Sequence, residues 1–292
     1  MARLEELVDR LGDQLGPATA PPQPLSGGIT NRNYRVRFGE RDYVVRVHGK
    51  DTELLGIDRN AERIANRAAA RLGIAPAVAA AGEDCLVTEF LGAVPARAVR
   101  AAAAIAQALR ALHDSGTELP VRFWVPELLD RYAAVVTDRG GALPNAYADA
   151  RALARRIEAA LPLVEPVPCH NDLLPGNVLE RDGRIALVDW EYAGMGHRLF
   201  DLGNLAVNND FDPDAERRLL TAYFGEPPSP ARTAALRLMR LMSDAREAAW
   251  GVVQTVTSDL DFDFAAYARA HFDRLRTAAA HLERWLSDAA AA

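Results

Sequence analysis

Cysteine is scarce in this 292-residue chain, which has only Cys85 and Cys169, far apart in sequence. That scarcity excludes a disulfide scaffold and a cysteine-rich metal site. Long apolar runs are missing as well. No stretch approaches the ~20 apolar residues a membrane helix requires, so membrane insertion is not expected. The opening Met-Ala-Arg-Leu-Glu-Glu has no apolar secretion core behind it. These two absences predict a cytoplasmic location. No block of Lys and Arg stands out and the net charge is −6, which speaks against a nucleic-acid partner, because duplex binding needs a basic face to displace counterions. The sign suits a small cationic partner better. What is present, 49% apolar and 25% charged residues, is the composition of a globular chain long enough for two lobes with their own cores.

Local patterns give an order of elements. Leu4, Leu7, Val8, Leu11 and Leu15 fall on one side of a helix over 3–15, which the proline-rich stretch 17–24 ends. A glycine-bearing loop, Ser26-Gly27-Gly28-Ile29-Thr30-Asn31, leads into a hairpin with strands at 34–38 and 43–47 around Gly39-Glu40. Asp58 is placed to cap a helix over 59–72, ended by Gly73 and Pro76, and two short strands follow at 77–81 and 85–90. After Gly92 the composition turns to Ala-rich helices at 97–113, 125–138 and 146–160. The helical trend breaks between 164 and 192, where a polar loop precedes two short strands at 178–179 and 185–188. Helices at 199–208, 213–223, 230–256 and 264–287 complete the chain. The boundary between a strand-rich lobe, 1–91, and a helical lobe, 92–292, is expected at residues 90–93.

Chemistry concentrates in the break. His170-Asn171-Asp172-Leu173-Leu174-Pro175-Gly176-Asn177 is followed by Leu187-Val188-Asp189. Phosphoryl transfer asks for few protein groups, but they must be well placed: a carboxylate at the attacking hydroxyl, an amide or carboxylate oxygen on a metal near the phosphates, and a second carboxylate on the bridging metal. Mg²⁺ prefers such hard oxygen donors. Asp172 supplies the first group, Asn177 and Asp189 the other two. The Asp-x-x-x-x-Asn spacing holds two of them on one tight loop, and Asp189 closes the next hairpin and returns to the same point. A lone Asp-x-x-x-x-Asn would be an ordinary polar turn. His170 two residues before Asp172, the paired short strands and the closing Asp raise it above that.

With these residues in view the segment resembles the catalytic loop of the choline/ethanolamine kinase family, within the aminoglycoside phosphotransferase superfamily. Asp189-Trp190-Glu191-Tyr192-Ala193 and Phe200-Asp201-Leu202-Gly203-Asn204 look like that branch too. Protein kinases share the scheme, but no Asp-Phe-Gly or Ala-Pro-Glu element frames an activation loop here. The resemblance implies an α+β, bilobal protein-kinase-like fold with a small antiparallel-sheet N-lobe carrying one main helix and a larger helical C-lobe. It implies ATP and Mg²⁺ as cofactors. Leu25 to Asn31 resembles the family's phosphate loop: Gly27 and Gly28 let backbone N–H groups approach a phosphate, and Ser26, Thr30 and Asn31 add side-chain donors. It is not a Walker loop, because no Lys follows the glycines. Arg46, mid-strand, stands where kinases place a phosphate-binding lysine, and Glu62 on the following helix is its natural partner, with Glu53 competing for the role. The segment 86–91 is the expected adenine hinge, with Glu89 and Leu91 as candidates for its backbone hydrogen bonds.

On the acceptor side, the segments 244–251 and 262–268 resemble the C-terminal region of choline kinases, where aromatic faces surround a quaternary ammonium by cation–π attraction. Trp250 and Tyr267 are the cage candidates, joined by Phe262 and Tyr192, with Glu191 and Asp201 as candidate carboxylates near the cation. Val253 stands where a second Trp is often found, which leaves a primary amine or a larger alcohol open. The expected function is ATP-dependent phosphorylation of the hydroxyl of a small cationic amino alcohol, choline- or ethanolamine-like. A kinase for thiamine or an aminoglycoside, or a nucleotide-binding protein without turnover, are the alternatives. Whether the chain works as a monomer or a homodimer is left open.

Overall fold

The computed structural model describes residues 2–25, 31–162 and 164–290. Helix α1 (Ala2–Leu15) lies on a five-stranded antiparallel sheet made from β1 (Gln23–Pro24), β2 (Arg32–Phe38), β3 (Arg41–Val47), β4 (Val78–Ala81) and β5 (Cys85–Glu89), in the order β1-β2-β3-β5-β4. Alternation decides what each strand face does. Val36, Phe38, Tyr43, Val45, Cys85 and Val87 point one way and bury against Leu7, Val8 and Leu11 of α1. Arg46 therefore leaves β3 on the opposite face. Below that face runs α2 (Arg59–Arg71), whose N-cap Asp58 accepts a hydrogen bond from Ala61 N at 2.8 Å and which carries Glu62.

Helix α2 does more than complete the sheet lobe. Ala65 and Ala69 on it, with Leu55, Ile57 and Ile74 around it, belong to the large apolar core of the helical lobe. Two hydrogen bonds fasten the segment there, Tyr132 Oη to Leu55 O at 2.8 Å and Leu187 N to Ile74 O at 2.7 Å. The rest of that core is built by α3 (Ala98–His113), α4 (Val125–Asp138), α5 (Asn145–Ala160), α6 (Arg198–Asn208), α7 (Pro213–Phe224), α8 (Pro230–Thr257), α9 (Phe264–Ala278) and α10 (Leu282–Ala290). Between α5 and α6 lie four short strands. β7 (Val167–Cys169) pairs with β10 (Gly194–Gly196), while β8 (Val178–Arg181) pairs with β9 (Arg184–Leu187) and with β6 (Val94–Pro95). The bilobal α+β architecture expected from the sequence is the one observed.

The differences are local. The two- and three-residue strands β1, β6, β7 and β10 are too short to leave a period in the sequence. A 3-10 turn at Thr52–Leu55 precedes α2. The single helix expected at 264–287 is two helices, α9 and α10, joined by a 3-10 turn at Ala279–His281 that lets Leu282 and Ala289 return to the core. No helix of the described residues is long and apolar enough to cross a membrane.

Helix α8 is the spine of the large lobe, and it packs on α6 at unusually short range. A Cβ added at Gly203 would meet Met239 Cβ at 2.7 Å and the Met239 carbonyl carbon at 2.8 Å. Backbone cannot give way there, so Gly203→Ala is expected to destabilise the fold by about 1–3 kcal/mol. Urea unfolding followed by circular dichroism measures this, and a midpoint equal to that of the unmodified protein would refute the close approach.

Candidate active site

Strand β7 delivers His170, Asn171 and Asp172 into the interior, and α6 receives them. The Asp201 carboxylate, wholly buried, accepts from His170 N at 2.9 Å, Asn171 N at 2.7 Å and His113 Nε2 at 2.9 Å. Asn204, one turn on, accepts from Leu173 N, and Asn209 Nδ2 donates to Leu173 O at 3.1 Å. Held this way, Asn171 takes a left-handed conformation (φ 66°), which costs a non-glycine residue roughly 1–2 kcal/mol. The donated bonds offset that cost. Asn171 Nδ2 reaches on to Tyr192 O at 3.0 Å.

His170 locks the two halves of the site together. Its Nδ1 accepts from Asp172 N at 3.2 Å and its Nε2 lies 2.9 Å from Val188 O, so both partners are satisfied by a neutral ring protonated at Nε2. The ring lies against Trp190, 4.5 Å between centroids. Val188 precedes Asp189, which is itself left-handed (φ 68°). The catalytic-loop Asp and the closing Asp are thereby brought to one place.

Asp172, Asn177 and Asp189 line the same cavity. Asn177 spends its amide N–H groups on Asp172, reaching its carbonyl at 2.8 Å and Oδ2 at 3.1 Å. That geometry commits the nitrogen, so its amide oxygen and the Asp189 carboxylate offer the hard oxygen donors Mg²⁺ takes. Burial pushes the Asp172 carboxyl well above the usual carboxylate range, and the neighbouring Glu247, Asp189 and Glu191 add to the rise, while Arg246 works against it. A carboxylate raised in this way is a better proton acceptor.

From the sheet side comes Arg46. Its Nη1 donates to Glu62 Oε1 at 3.1 Å and to Asp189 Oδ1 at 2.6 Å. Glu62 is the partner and Glu53 is exposed, so the competition between them is resolved. The guanidinium bridges Glu62 and Asp189, because both lie beneath the same face of β3. Arg59 forms a second bridge, from Glu62 Oε2 at 2.8 Å to Glu191 Oε2 at 3.5 Å. Asn31 Nδ2 donates to the same Glu191 oxygen at 2.7 Å.

The cavity, of about 210 Å³, is completed by Leu174, Gly176, Glu191, Tyr192, Arg246, Glu247, Trp250 and Tyr267. Trp250 Nε1 donates to Tyr192 Oη at 2.8 Å, and Tyr267 Oη to Glu247 Oε2 at 2.7 Å. Arg246 Nη1 joins Asp172 Oδ1 at 3.1 Å to Glu247 Oε1 at 2.6 Å, and its guanidinium lies 4.2 Å over the Tyr192 ring. Gly251 makes the arrangement sterically feasible: a Cβ there would come within 3.0 Å of Ala268 and Tyr267 on α9.

The expected site residues do not all converge. Ser26, Gly27, Gly28 and Thr30 lie outside the described residues. Asp201 is not at the cavity; both of its oxygens serve the catalytic loop and His113, so it is a scaffold carboxylate and not a cation contact. Phe262 stands 43% exposed beside Phe264 and Tyr267 and contributes nothing to the cavity lining, because the chain between α8 and α9 turns it outward. At the hinge, the Glu89 amide donates to Ala77 O and the Phe90 amide to Asp42 O, both at 3.0 Å, so these two are committed within the sheet. The Leu91 carbonyl accepts from Arg181 Nη1. Arg59, Arg246 and Glu247 escaped notice in the sequence. For the last two the signal was available: they precede Trp250 by four and three residues on α8, the spacing that shares a helix face.

Burial pushes His170 down to about 4, and His197, which accepts from Leu199 N at 3.1 Å, down to about 4 as well. Both have folded values below the ordinary 6.5. The unfolded chain then binds more protons in that window, and stability falls as pH drops from 6.5 toward 4, by up to about 1 kcal/mol per pH unit for each ring. Urea unfolding at a series of pH values is expected to show that slope, reduced in His170→Gln; a flat profile would contradict neutral, buried rings.

Comparison with known proteins agrees with this geometry. The family model described as "Phosphotransferase enzyme family" matches residues 22–236. Ethanolamine kinase 2 of Rattus norvegicus is 30% identical over 306 residues, which cover 92% of this chain and 78% of that protein. A crystal structure of a choline/ethanolamine kinase family protein from Mesorhizobium loti superposes with a TM-score of 0.83 at 30% identity, covering 99% of each chain. Choline kinase LicA from Streptococcus pneumoniae shares the fold, with a TM-score of 0.79 at 23% identity over 96% of this chain and 99% of that one. The chain belongs to the phosphotransferase enzyme family, in the superfamily of the choline and ethanolamine kinases, and is a phosphotransferase related to them.

Proposed function

We propose that this protein transfers the γ-phosphoryl group of ATP, with Mg²⁺, to the hydroxyl of a small cationic amino alcohol. The observation that carries the reading is the shared cavity: Asp172, Asn177 and Asp189 line it together with Glu191, Glu247, Tyr192, Trp250 and Tyr267. Phosphate chemistry and cation recognition are thus adjacent. In this reading the strand-rich lobe, 1–91, holds the nucleotide, and the helical lobe, 92–292, carries the catalytic loop and the acceptor.

Asp172 accepts the hydrogen bond of the acceptor hydroxyl, orients its lone pair toward the γ-phosphorus and takes its proton as the new P–O bond forms. Asn177 and Asp189 are the residues that would hold Mg²⁺, which when bound neutralises phosphate charge. Arg46 faces the phosphates, and Glu62 steers its guanidinium. The glycine loop at 26–30 is assigned to the phosphates by its sequence. Placement and charge stabilisation account for most of the acceleration. The lining, with three aromatic rings beside its carboxylates, suits a small amino alcohol better than a polyamine sugar, which calls for many carboxylates and few aromatics. Intact Asp172, Asn177 and Asp189 speak against a nucleotide-binding protein without turnover.

ADP release with ATP and Mg²⁺ is expected to depend on added acceptor, with ethanolamine or choline active and thiamine and kanamycin inactive. Asp172→Asn, nearly isosteric, is expected to lower kcat about 10²–10⁴-fold with little change in the KM for ATP. Acceptor-dependent turnover at the unmodified rate in that variant would end the assignment. Arg46→Ala is expected to act oppositely, raising the KM for ATP and leaving that for the acceptor near its original value in the same assay.

A further inference from the structure

The acceptor end of the cavity already contains a cation. Arg246 is 2% exposed, lines the cavity, and makes three contacts there. Its guanidinium carbon lies 4.2 Å from the centroid of the Tyr192 ring, and Nη1 reaches Glu247 at 2.6 Å and Asp172 at 3.1 Å. An aromatic face, a carboxylate and the neighbourhood of the base are the contacts a quaternary ammonium head group of an acceptor would seek. The Tyr192 face is thus taken by the protein itself.

What remains for a ligand is a wall of two rings, Trp250 and Tyr267, beside two carboxylates. Trp250 is 6% exposed and Tyr192 5%, and their polar tips are tied to one another. Val253, where a further aromatic wall would stand, is wholly buried in the core and contributes nothing to the lining. Tyr267 stands on the wall beside Trp250, and its hydroxyl is bound to Glu247. Glu247 accepts one described side-chain bond on each oxygen, from Arg246 and from Tyr267. A carboxylate has about four lone-pair sites, so acceptor capacity is left over. Glu191 adds a second carboxylate to the lining.

The chemistry of the two ammonium classes differs. A trimethylammonium has no N–H to donate and depends on aromatic faces. A primary ammonium is compact, carries three N–H donors and is best satisfied by charge-assisted bonds to carboxylates. On top of the amino-alcohol reading, on which this inference rests, we propose that Arg246 is a specificity-determining residue: by covering Tyr192 it closes the cage to quaternary ammonium acceptors and selects a primary amino alcohol, held by Glu247 and Glu191.

The test is the ratio of kcat/KM for choline to that for ethanolamine, at saturating ATP and Mg²⁺. The unmodified protein is expected to favour ethanolamine by tenfold or more, about the value of one cation–π contact. Arg246→Gln, which uncovers Tyr192, is expected to raise the choline-to-ethanolamine ratio roughly tenfold. Arg246→Lys keeps a cation for Asp172 and Glu247 but withdraws the flat guanidinium, and is expected to raise the ratio by a smaller factor; it carries the test if Arg246→Gln does not fold. Preference for choline in the unmodified protein, or an unmoved ratio in a folded variant, would overturn the proposal and leave the amino-alcohol reading standing. Turnover of neither alcohol would remove that reading, and this one with it.

Discussion

Asp201 gives both carboxylate oxygens to the chain segment that carries Asp172, the proposed base, and it does so out of contact with water. Burial alone raises the pKa of such a group; the donors from His113 and the loop reverse the effect and hold it below the ordinary carboxylate range. An unpaired carboxylate in that position would cost several kcal/mol, so the charge and the loop conformation require one another. Once His170 and Asn171 are fixed by their amides, the left-handed turn at Asn171 follows. From there Asn171 reaches Tyr192 O and His170 reaches Val188 O. The two aspartates of the site are positioned by main-chain bonds relayed from one buried charge.

Helix α8 performs the corresponding task for the opposite wall of the cavity. Contacts made possible by glycine bring α6 and α9 close to it: Gly203 admits Met239 from one side, and Gly251 admits Ala268 and Tyr267 on the other. The face between those contacts carries Arg246, Glu247 and Trp250. Tyr267 is thereby set 5.5 Å from Trp250, ring to ring. The ring pair is a wall of the cavity because two backbones are close enough to place it there.

Much of this was legible from the sequence, and for identifiable reasons. Helix α1 announced itself by period, α2 by its cap Asp58 and its terminator Gly73, and α3 to α5 by Ala-rich composition. The catalytic loop was legible because three oxygen-bearing side chains recurred at spacings that one metal-bound phosphate requires. Asp201 was read as part of a motif but in the wrong role, since a motif gives position and not direction: only the fold shows its oxygens turned toward the loop amides. Phe262 was misplaced for the same reason, as an aromatic residue beside a cage is not a wall of it. Arg246 and Glu247 lay inside the segment 244–251 but were given no role, and Arg59 was not singled out. The burial of Arg246 and Glu247 arises from tertiary packing; their spacing to Trp250 marks a shared helix face but not how deeply it is buried. The division of α9 from α10 has no glycine or proline to mark it, and nothing in the local sequence explains where it falls.

Arg59 joins two carboxylates from different parts of the chain. One guanidinium holds Glu62, the partner of Arg46, and also Glu191 on the cavity wall. In the proposed reading the nucleotide and the acceptor are therefore not recognised by electrically separate surfaces. A charge change at either carboxylate redistributes the hold of Arg59 on the other, and thermodynamic linkage makes such influence equal in both directions. Cooperative filling of the two subsites then needs no hinge and no travelling signal, since one shared counter-ion stands between them.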